Sequence, residues 1–229
     1  MKKNKKKTDI LIISDLHLGS QVSRSKEAVN LLKAYNFKKL ILLGDIFDSL
    51  DFRDLKQKHW DFISYISKRS QKNKVIWVEG NHDKNLSKIM GLLVGVKVYK
   101  RYKWKYKGKI YLAMHGHQFD RFLVNNFLIS QLASLVYLWI QKIEGKEQRI
   151  SRFIKKHSKQ WLRLSEKVAN SAVLYARFYR ASCIFCAHTH KAMHVYKHKV
   201  DYYNSGCWTD IPSKYITVRK DKIKINDYF

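Results

Sequence analysis

Short apolar runs alternate with amphipathic stretches along most of this chain of 229 residues. Runs of four or five apolar residues are typical of strands buried on both faces, and apolar residues three or four positions apart predict helices. Strands are expected over residues 10–14, 40–43, 75–78, 110–114, 184–186, 193–196, 200–203 and 215–219. Helices are expected near residues 26–35, 60–68 and 86–93. This alternation of strand and helix predicts an α/β fold.

Five short polar motifs, nearly all directly after an apolar run, contain residue types that bind metals. In chain order they are Asp15-Leu16-His17, Gly44-Asp45-Ile46-Phe47-Asp48, Gly80-Asn81-His82-Asp83, His115-Gly116-His117 and His188-Thr189-His190. Carboxylate oxygens and imidazole nitrogens suit a pair of divalent cations. A single D-x-H is frequent by chance, whereas five motifs in this order indicate a metal centre.

This set resembles the pattern of the calcineurin-like metallophosphoesterases, which is D-x-H, G-D-x-x-D, G-N-H-D/E, H and G-H-x-H. The resemblance covers roughly residues 8–218. It implies a β-sandwich flanked by helices, two divalent cations with Mn²⁺ favoured, and hydrolysis of a phosphoric ester. Ala187 stands where the family usually has glycine, but that position is not a ligand, so only a small adjustment of the turn is expected.

The resemblance implies two groups of ligands, each holding one cation. One group is Asp15, His17 and His190, and the other is Asn81, His115 and His188. Asp45 is expected to bridge the two cations, because a carboxylate offers two oxygens and its charge offsets two nearby positive ions. Residues i and i+2 of an extended segment face the same side, so both side chains of the D-x-H motif can reach one ion.

Asn81 and His82 are the candidate catalytic residues. His82 adjoins the ligand Asn81 and could contact a phosphoryl oxygen or the leaving group, or could instead hydrogen-bond to Asp48 or Asp83. The candidate substrate-binding residues are Asn81, His188 and Asp120. Asp120 could instead cap the helix that is expected to follow it, and capping is the more common role of such a residue.

Residues 121–180 are expected to form a helical cap inserted into a single domain of residues 1–229. Residues 122–141 carry no charge and approach the length of a membrane span. Topology argues against spanning, because His115 and His188 must meet at one centre and the returning residues 149–180 are highly charged. The stretch is therefore expected to be a core or cap helix, or a helix that lies on a bilayer beside a basic face.

The helical insertion resembles one branch of the family, the UDP-2,3-diacylglucosamine pyrophosphatases of lipid A synthesis. Residues 202–208 resemble the Y-x-N-x-G-x-W pattern common in that branch. The branch often has His-Gly-Asp where this chain has His115-Gly116-His117, and well-studied members have arginine where this chain keeps His82. The resemblance implies a nucleotide–lipid substrate that is cleaved to UMP and a lipid phosphate.

Positive charge dominates the composition, with 46 Lys and Arg against 18 Asp and Glu and a formal net charge of +28. A solvated, lysine-rich surface explains part of this excess, and an anionic membrane, a polyanionic substrate or nucleic acid are the functional interpretations. Cys183-Ile184-Phe185-Cys186 is interpreted as a buried strand rather than a redox or zinc motif. The basic N-terminus lacks an adequate apolar region for a signal peptide, so a cytoplasmic protein, peripheral on the inner face of the cell membrane, is expected.

Three functional hypotheses follow from these patterns. The first is hydrolysis of the pyrophosphate bond of UDP-2,3-diacylglucosamine or a similar UDP-sugar lipid. The second is a nuclease or another phosphodiesterase or phosphatase of the same family. The third is a non-catalytic binding module, against which the complete ligand set argues. An apolar slot favours a lipid, whereas aromatic residues interleaved with basic ones favour nucleic acid.

Overall fold

A computed structural model describes residues 5–49, 51–84, 87–120, 159–220 and 222–229. The strands are β1 (Lys6–Ile13), β2 (Tyr35–Leu43), β3 (Lys74–Val78), β4 (Val98–Tyr99), β5 (Tyr102–Tyr106), β6 (Lys109–Ala113), β7 (Cys183–Cys186), β8 (Met193–Lys197), β9 (Val200–Asn204), β10 (Ser213–Arg219) and β11 (Lys222–Tyr228). The helices are α1 (Ser25–Ala34), α2 (Gln57–Ser70), α3 (Ser87–Val94) and α4 (Lys159–Phe178).

The strands form two sheets whose parallel strands carry the five motifs. The first sheet has the order β11-β10-β1-β2-β3-β4, with β1 to β4 parallel. The second has the order β5-β6-β7-β9-β8, with β6, β7 and β9 parallel. Because parallel strands end at the same edge of a sheet, the loops after them meet there. The motifs of the first sheet follow β1, β2 and β3, and those of the second follow β6 and β7.

Strand alternation divides the apolar residues between an inner and an outer core. Ile10 of β1 belongs to the core between the two sheets, together with Phe185 of β7. Leu11 belongs to the outer core, where Leu32 of α1 and Phe62 of α2 cover the first sheet. Burial on both faces explains why these strands read as continuous apolar runs.

Helix α4 covers the outer face of the second sheet through small side chains. Ala169, Ala172 and Ala176 are buried there and pack in one cluster with Ile184 of β7 and Tyr202 of β9. Alanine at these positions lets the helix backbone lie close to the sheet. The predicted α/β fold, a β-sandwich flanked by helices, is confirmed.

The structure differs from the sequence prediction in the starts of two strands and at the edges of the first sheet. Strand β1 begins at Lys6 rather than at residue 10, β2 begins at Tyr35 rather than at residue 40, and the edge strands β4 and β11 were not predicted. In β11, lysines alternate with isoleucines because one face of this edge strand is solvated. Cys183 and Cys186 lie buried in β7 as free thiols, and burial raises the pKa of each. This placement agrees with the interpretation of that segment as a strand.

Most of the predicted cap, residues 121–158, lies outside the described residues. That segment includes the whole uncharged stretch of residues 122–141 and the basic positions before residue 159. The remainder is α4 and the turn that follows it. No helix in the described part of the chain is both long enough and apolar enough to cross a membrane. The cap and the single-domain division remain predictions.

Candidate metal centre

The loops after β1 and β2 lie side by side at the edge of the first sheet. The backbone N–H of Asp15 donates to the carbonyl of Gly44 (3.0 Å), and that of His17 donates to the carbonyl of Asp45 (3.1 Å). Asp15, His17 and Asp45 have φ angles of 48°, 49° and 48°. Residues other than glycine rarely adopt this left-handed conformation, and it persists only where the surrounding structure enforces it. The hydrogen bonds between the two loops supply part of that enforcement.

Two glycines of the motifs are required by close approach of other groups. A Cβ on Gly80 would lie 2.1 Å from Oδ1 of Asp45, and a Cβ on Gly44 would lie 2.3 Å from Nδ1 of His115. Neither separation leaves room for a methyl group. Any other residue would therefore displace the carboxylate or the imidazole.

One group of candidate ligands consists of Asp15, His17 and His190, whose ligand atoms lie within 4.8 Å of one another. Nε2 of His190 is 3.2 Å from Oδ1 of Asp15, which is fully buried. Nδ1 of His17 is 2.9 Å from Oδ1 of Asp48, which leaves Nε2 of His17 for an ion. The last motif of the sequence is thus brought next to the first.

A second group consists of Asp45, His115 and His188, within the same limit of 4.8 Å. Nε2 of His115 is 3.1 Å from Oδ2 of Asp45, and Nδ1 of His115 donates to the carbonyl of Leu43 (2.9 Å). Nε2 of His188 is 3.1 Å from Oδ2 of Asp120. The rings of His115 and His188 lie edge to face, with centroids 5.3 Å apart.

The two carboxylate oxygens of Asp45 face different neighbours, and its bridging role stays a prediction. Its Oδ1 accepts the backbone N–H of His82 (2.9 Å), while Oδ2 faces His115. Burial alone would raise the pKa of Asp45, but the positive charge of His115, His82 and His17 lowers it well below the ordinary value. An ionised carboxylate in this position is the residue type that two neighbouring cations can share.

Several buried polar atoms of the centre make no well-aligned hydrogen bond within the described residues. They are both carboxylate oxygens of Asp15, Nε2 of His17 and Nε2 of His115. Of these, Oδ1 of Asp15 faces His190 across 3.2 Å and Nε2 of His115 faces Asp45 across 3.1 Å. A buried polar group left in this state costs about 1–3 kcal/mol, so native structures contain few of them unless a ligand or water completes the site. Carboxylate oxygen and imidazole nitrogen are donors for Mn²⁺, Fe²⁺, Ni²⁺ and Zn²⁺. The residues present therefore fit divalent cations.

Two of the candidate ligands hold protons in the metal-free centre. Burial lowers the pKa of His115, but the carboxylates of Asp45 and Asp15 raise it to about 9. Burial also acts against protonation of His190, whose neighbours Cys207 and Asp15 raise its pKa to about 10. Because a ligand imidazole must be neutral, cation binding at this centre displaces protons.

The third motif places Asn81 and His82 at the rim of the centre. Asn81 is exposed in the turn after β3, and its role as a ligand stays a prediction. Nδ1 of His82 donates to the backbone carbonyl of Asp48 (2.6 Å), which leaves Nε2 for a substrate. The side chains of His17, Asp48 and His82 also form a third cluster with metal-ligand spacing. His82 thus makes a supporting hydrogen bond to Asp48, one of the two roles that the sequence left open, and its contact with a substrate stays a prediction.

Asp120 lies on the side of the centre formed by the second sheet. It is buried at the end of a short 3₁₀ turn, His117–Phe119, and its carboxylate faces His188. The helix that Asp120 was expected to cap lies outside the described residues. Its expected contact with a substrate stays a prediction, as does that of His188.

Asn204 supports the last motif, a role that motif spacing alone did not reveal. Nδ2 of Asn204 donates to the carbonyl of Ala187 (2.7 Å) and to the hydroxyl of Thr189 (3.1 Å). The turn that these bonds hold places His188 and His190 at φ angles of 68° and 54°. The Y-x-N-x-G-x-W pattern was the available signal, because it marks Asn204 without stating what it contacts.

Asp83 and Trp208 connect separate loops of the centre. The buried carboxylate of Asp83 accepts the backbone N–H of Gly80 (2.6 Å) and of Ile46 (2.9 Å), which ties the third motif to the second. The backbone N–H of Trp208 donates to the carbonyl of Asp15 (3.0 Å). Both residues belong to recognised patterns, but their partners become apparent only in three dimensions.

The solved structures similar to this chain have low sequence identity to it. A novel archaeal phosphodiesterase is 11% identical, with 95% of this chain and 98% of that chain covered and a TM-score of 0.54. Yfce, a phosphoesterase from E. coli, is 15% identical, with 90% and 86% covered and a TM-score of 0.52. A single mutant of Vps29 from Entamoeba histolytica is 13% identical, with 96% and 99% covered and a TM-score of 0.48.

Comparison with curated protein sequences finds no significant match. The profile of the calcineurin-like phosphoesterases matches residues 8–192, which include all five motifs. The match spans most of the chain, and the geometry described above gathers the side chains of those motifs around Asp45. The chain therefore belongs to the calcineurin-like phosphoesterase family, whose members hydrolyse phosphoric esters with divalent metals.

Proposed function

We propose that the protein is a two-metal hydrolase that cleaves the pyrophosphate bond of UDP-2,3-diacylglucosamine, or of a similar UDP-sugar lipid, to UMP and a lipid phosphate. The observation that carries the hydrolytic part is the group of buried ligand atoms that make no well-aligned hydrogen bond within the described residues, beside the ionised Asp45. The lipid–nucleotide part rests on the helical insertion that the sequence predicts and on residues 202–208. Either part can fail without the other.

The ligands would hold two cations on either side of Asp45. Asp15, His17 and His190 would hold one ion, and Asn81, His115 and His188 the other. Two bound divalent cations activate water and offset charge on a phosphoryl group, and the resemblance to the family favours Mn²⁺.

The remaining residues of the centre keep the ligands in place and face the substrate. Asp48 holds His17 through its side chain and His82 through its backbone carbonyl. Nε2 of His82 is then available to contact a phosphoryl oxygen at the rim, beside Asn81. In this proposal His82 and Asn81 are the catalytic residues that touch the substrate.

A surface on the outer side of α4 supports a substrate that resides in a membrane. Leu174 and Phe178, one turn apart, are 56% and 80% exposed. Arg177 and Arg180 adjoin them in sequence, and Arg101 stacks over Tyr179 with its guanidinium 4.2 Å from the ring centroid. Exposed apolar side chains among arginines suit an anionic bilayer, where apolar insertion and charge attraction act together. The net charge of +28 adds a longer-range attraction.

A nuclease or phosphodiesterase acting on nucleic acid is the second candidate, and the same surface supplies the observation in its favour. Arg101 and Lys103 both lie over the ring of Tyr179, and Tyr175 packs beside it with ring centroids 4.8 Å apart. Aromatic rings interleaved with cations are typical of platforms for single-stranded nucleic acid. The two candidates therefore predict different ligands for one surface.

One comparison of substrates tests both candidates. Protein loaded with Mn²⁺ is incubated separately with UDP-2,3-diacylglucosamine in mixed micelles, with single-stranded DNA and RNA, and with bis-p-nitrophenyl phosphate. Release of UMP at a much higher kcat/KM than either other reaction supports the proposal. Preferential cleavage of nucleic acid would replace it with the second candidate, and no turnover of any substrate would contradict a hydrolase.

The site of attack provides an independent test of the proposed bond. Water that attacks the phosphorus next to uridine leaves its oxygen on UMP. In ¹⁸O-enriched water the label is therefore expected in UMP and not in the lipid phosphate. Label confined to the lipid phosphate would assign the attack to the other phosphorus and would require a different substrate orientation.

A further inference from the structure

We propose that Asp120 is a positioning residue that orients the ring of His188 toward the second cation. The inference rests on the proposed two-metal centre and adds to it a residue outside the five motifs. It replaces the expected contact between Asp120 and the substrate with a contact to a ligand.

The geometry of the pair is the first observation. Oδ2 of Asp120 lies 3.1 Å from Nε2 of His188, and the side chains are 2% and 10% exposed. A carboxylate so deeply buried has little surface left for a substrate. With Nε2 directed at Asp120, Nδ1 is the ring nitrogen that remains for a cation beside Asp45 and His115.

The position of the carboxylate is fixed by the fold. The backbone N–H of Asp120 donates to the carbonyl of His117 (3.1 Å), which closes the 3₁₀ turn. The preceding residue, Phe119, packs edge to face on Tyr175 of α4, with ring centroids 5.5 Å apart. Helix α4 thus holds the turn against the second sheet, and the turn presents the carboxylate to His188.

The second observation is that two other candidate ligand imidazoles are each held by a protein oxygen at one ring nitrogen. Nδ1 of His17 is held by the carboxylate of Asp48 (2.9 Å), and Nδ1 of His115 by the carbonyl of Leu43 (2.9 Å). In each ring Nδ1 is occupied by a protein oxygen. Nε2 of His17 is buried and makes no hydrogen bond within the described residues, and Nε2 of His115 faces the carboxylate of Asp45 across 3.1 Å. For His188 the corresponding oxygen belongs to Asp120.

The chemistry of this arrangement explains its value to a metal site. A carboxylate that accepts the ring N–H selects one tautomer, fixes the ring plane and makes the opposite nitrogen a better donor to a cation. Loss of such a partner typically weakens metal binding or activity about 10–100-fold. Asp48 would perform this task for the first ion and Asp120 for the second.

The test is a titration of Mn²⁺ into metal-free protein. Binding is measured from the EPR signal of free Mn²⁺ and, separately, by calorimetry. Asp120→Asn keeps an acceptor oxygen and the size of the side chain, and Asp120→Ser serves if the first variant does not fold. Asp48→Asn is the counterpart at the other ion. Asp201→Asn is the matched control, because it removes the carboxylate of an exposed pair with His194 (2.7 Å) that lies outside the centre. Circular dichroism and the melting temperature in EDTA establish that each variant is folded.

Wild-type protein is expected to bind two ions. Asp120→Asn should weaken one of them about 10–100-fold and leave the other within about two-fold. On a His188→Ala background, Asp120→Asn should have no further effect, because its partner is already absent. Asp201→Asn should bind both ions as the wild type does.

Three results would overturn the role assigned to Asp120. If Asp120→Asn binds both ions normally but has a raised KM, Asp120 contacts the substrate rather than orienting His188. Equal weakening of both ions together with a lower melting temperature in EDTA would make it a residue of the fold alone. Wild-type protein that binds a single ion would remove the two-metal centre itself, which is a failure of the proposed function distinct from the first two.

Discussion

Oδ2 of Asp45 and Nε2 of His115 lie 3.1 Å apart at the centre of the site, and both side chains are buried. The pair joins the carboxyl end of a strand in the first sheet to that of a strand in the second. It also combines a carboxylate that stays ionised with an imidazole whose pKa is raised to about 9 by that carboxylate and by Asp15, against the effect of burial. A proton holds the pair together in the absence of a cation, and a cation is expected to take its place.

The first prediction is that Asp45→Asn abolishes both metal binding and activity. The amide keeps the shape of the carboxylate but removes the charge that two cations share, so turnover should fall by at least about 100-fold. Metal content after dialysis, measured by inductively coupled plasma mass spectrometry, should fall in parallel. Asp54→Asn, at an exposed position, is the control and should retain both properties. Near-normal turnover of the Asp45 variant would refute the bridging role.

The second prediction concerns Gly80, where a Cβ would lie 2.1 Å from Oδ1 of Asp45. Gly80→Ala should displace that carboxylate, lower metal affinity and cost about 1–3 kcal/mol of unfolding free energy through overpacking. Gly91→Ala is the matched control, because nothing lies within 4 Å of its added Cβ and it sits in helix α3. That variant should gain up to about 1 kcal/mol from helix propensity. Equal stability of the two variants in urea would show that the close contact is relieved without cost.

The third prediction is that Asn204→Ala weakens metal binding as well as the fold. The substitution leaves the carbonyl of Ala187 and the hydroxyl of Thr189 without this donor, which should cost about 2 kcal/mol or more. The turn that carries His188 and His190 should then lose its left-handed geometry. Asn226→Ala, in edge strand β11, removes comparable bonds far from the motifs and should reduce stability without changing Mn²⁺ affinity. Unchanged Mn²⁺ affinity in the Asn204 variant would show that the geometry of this turn does not determine metal binding.

The fourth prediction is that pH moves metal affinity and metal-free stability in opposite directions. The pKa of His115 is about 9 in the folded, metal-free protein, against an ordinary value of 6.5. The proton on His115 therefore stabilises the fold fully below pH 6.5, and this contribution is lost as pH rises through 9. Over the same range Mn²⁺ affinity should rise, because fewer protons must leave.

Two measurements check the effect of pH. Urea unfolding in EDTA should give a free energy that declines from about pH 6.5 to about pH 9. Calorimetry of Mn²⁺ binding at about pH 7 in two buffers of different ionisation enthalpy should give different apparent heats, because protons are released to the buffer. Identical heats in the two buffers would mean that His115 and His190 are already neutral when the cation arrives.

Local pattern sufficed for the strands and motifs of the centre because both are determined by near neighbours in sequence. Buried parallel strands must be apolar on both faces, so β1, β2 and β3 were recognisable, and polar ligands follow them at the sheet edge. The edge strand β11 was missed because its lysines and isoleucines alternate in a segment that a loop could also contain. Its pairing with β10 depends on tertiary contact rather than on its own composition.

Apart from the hydrogen bond between His82 and Asp48, the supporting contacts could not be predicted, because their partners are distant in sequence. Asp120 and His188 are 68 residues apart, and His17 and Asp48 are 31 residues apart. Spacing within a motif carries no information about such pairs. An Asp before a helix more commonly caps that helix, so the sequence did not predict the contact between Asp120 and His188. The resemblance to a family indicated candidate ligands but said nothing of what orients them.

The last prediction separates a membrane enzyme from one that acts on nucleic acid. Leu174 and Phe178 are exposed on α4 beside Arg177, and insertion of these side chains into a bilayer should resist salt, whereas charge attraction should not. Leu174→Ser with Phe178→Ser should therefore reduce binding to vesicles containing phosphatidylglycerol at about 0.5 M salt, where the Debye length is well below 10 Å, and raise KM for the lipid substrate. Turnover of bis-p-nitrophenyl phosphate should not change. Leu92→Ser is the matched control, because Leu92 is 88% exposed on α3, away from α4 in sequence, and its loss should leave vesicle binding intact. If the double variant binds vesicles normally but loses affinity for single-stranded DNA, the surface is a nucleic-acid platform and the nuclease hypothesis replaces the lipid one.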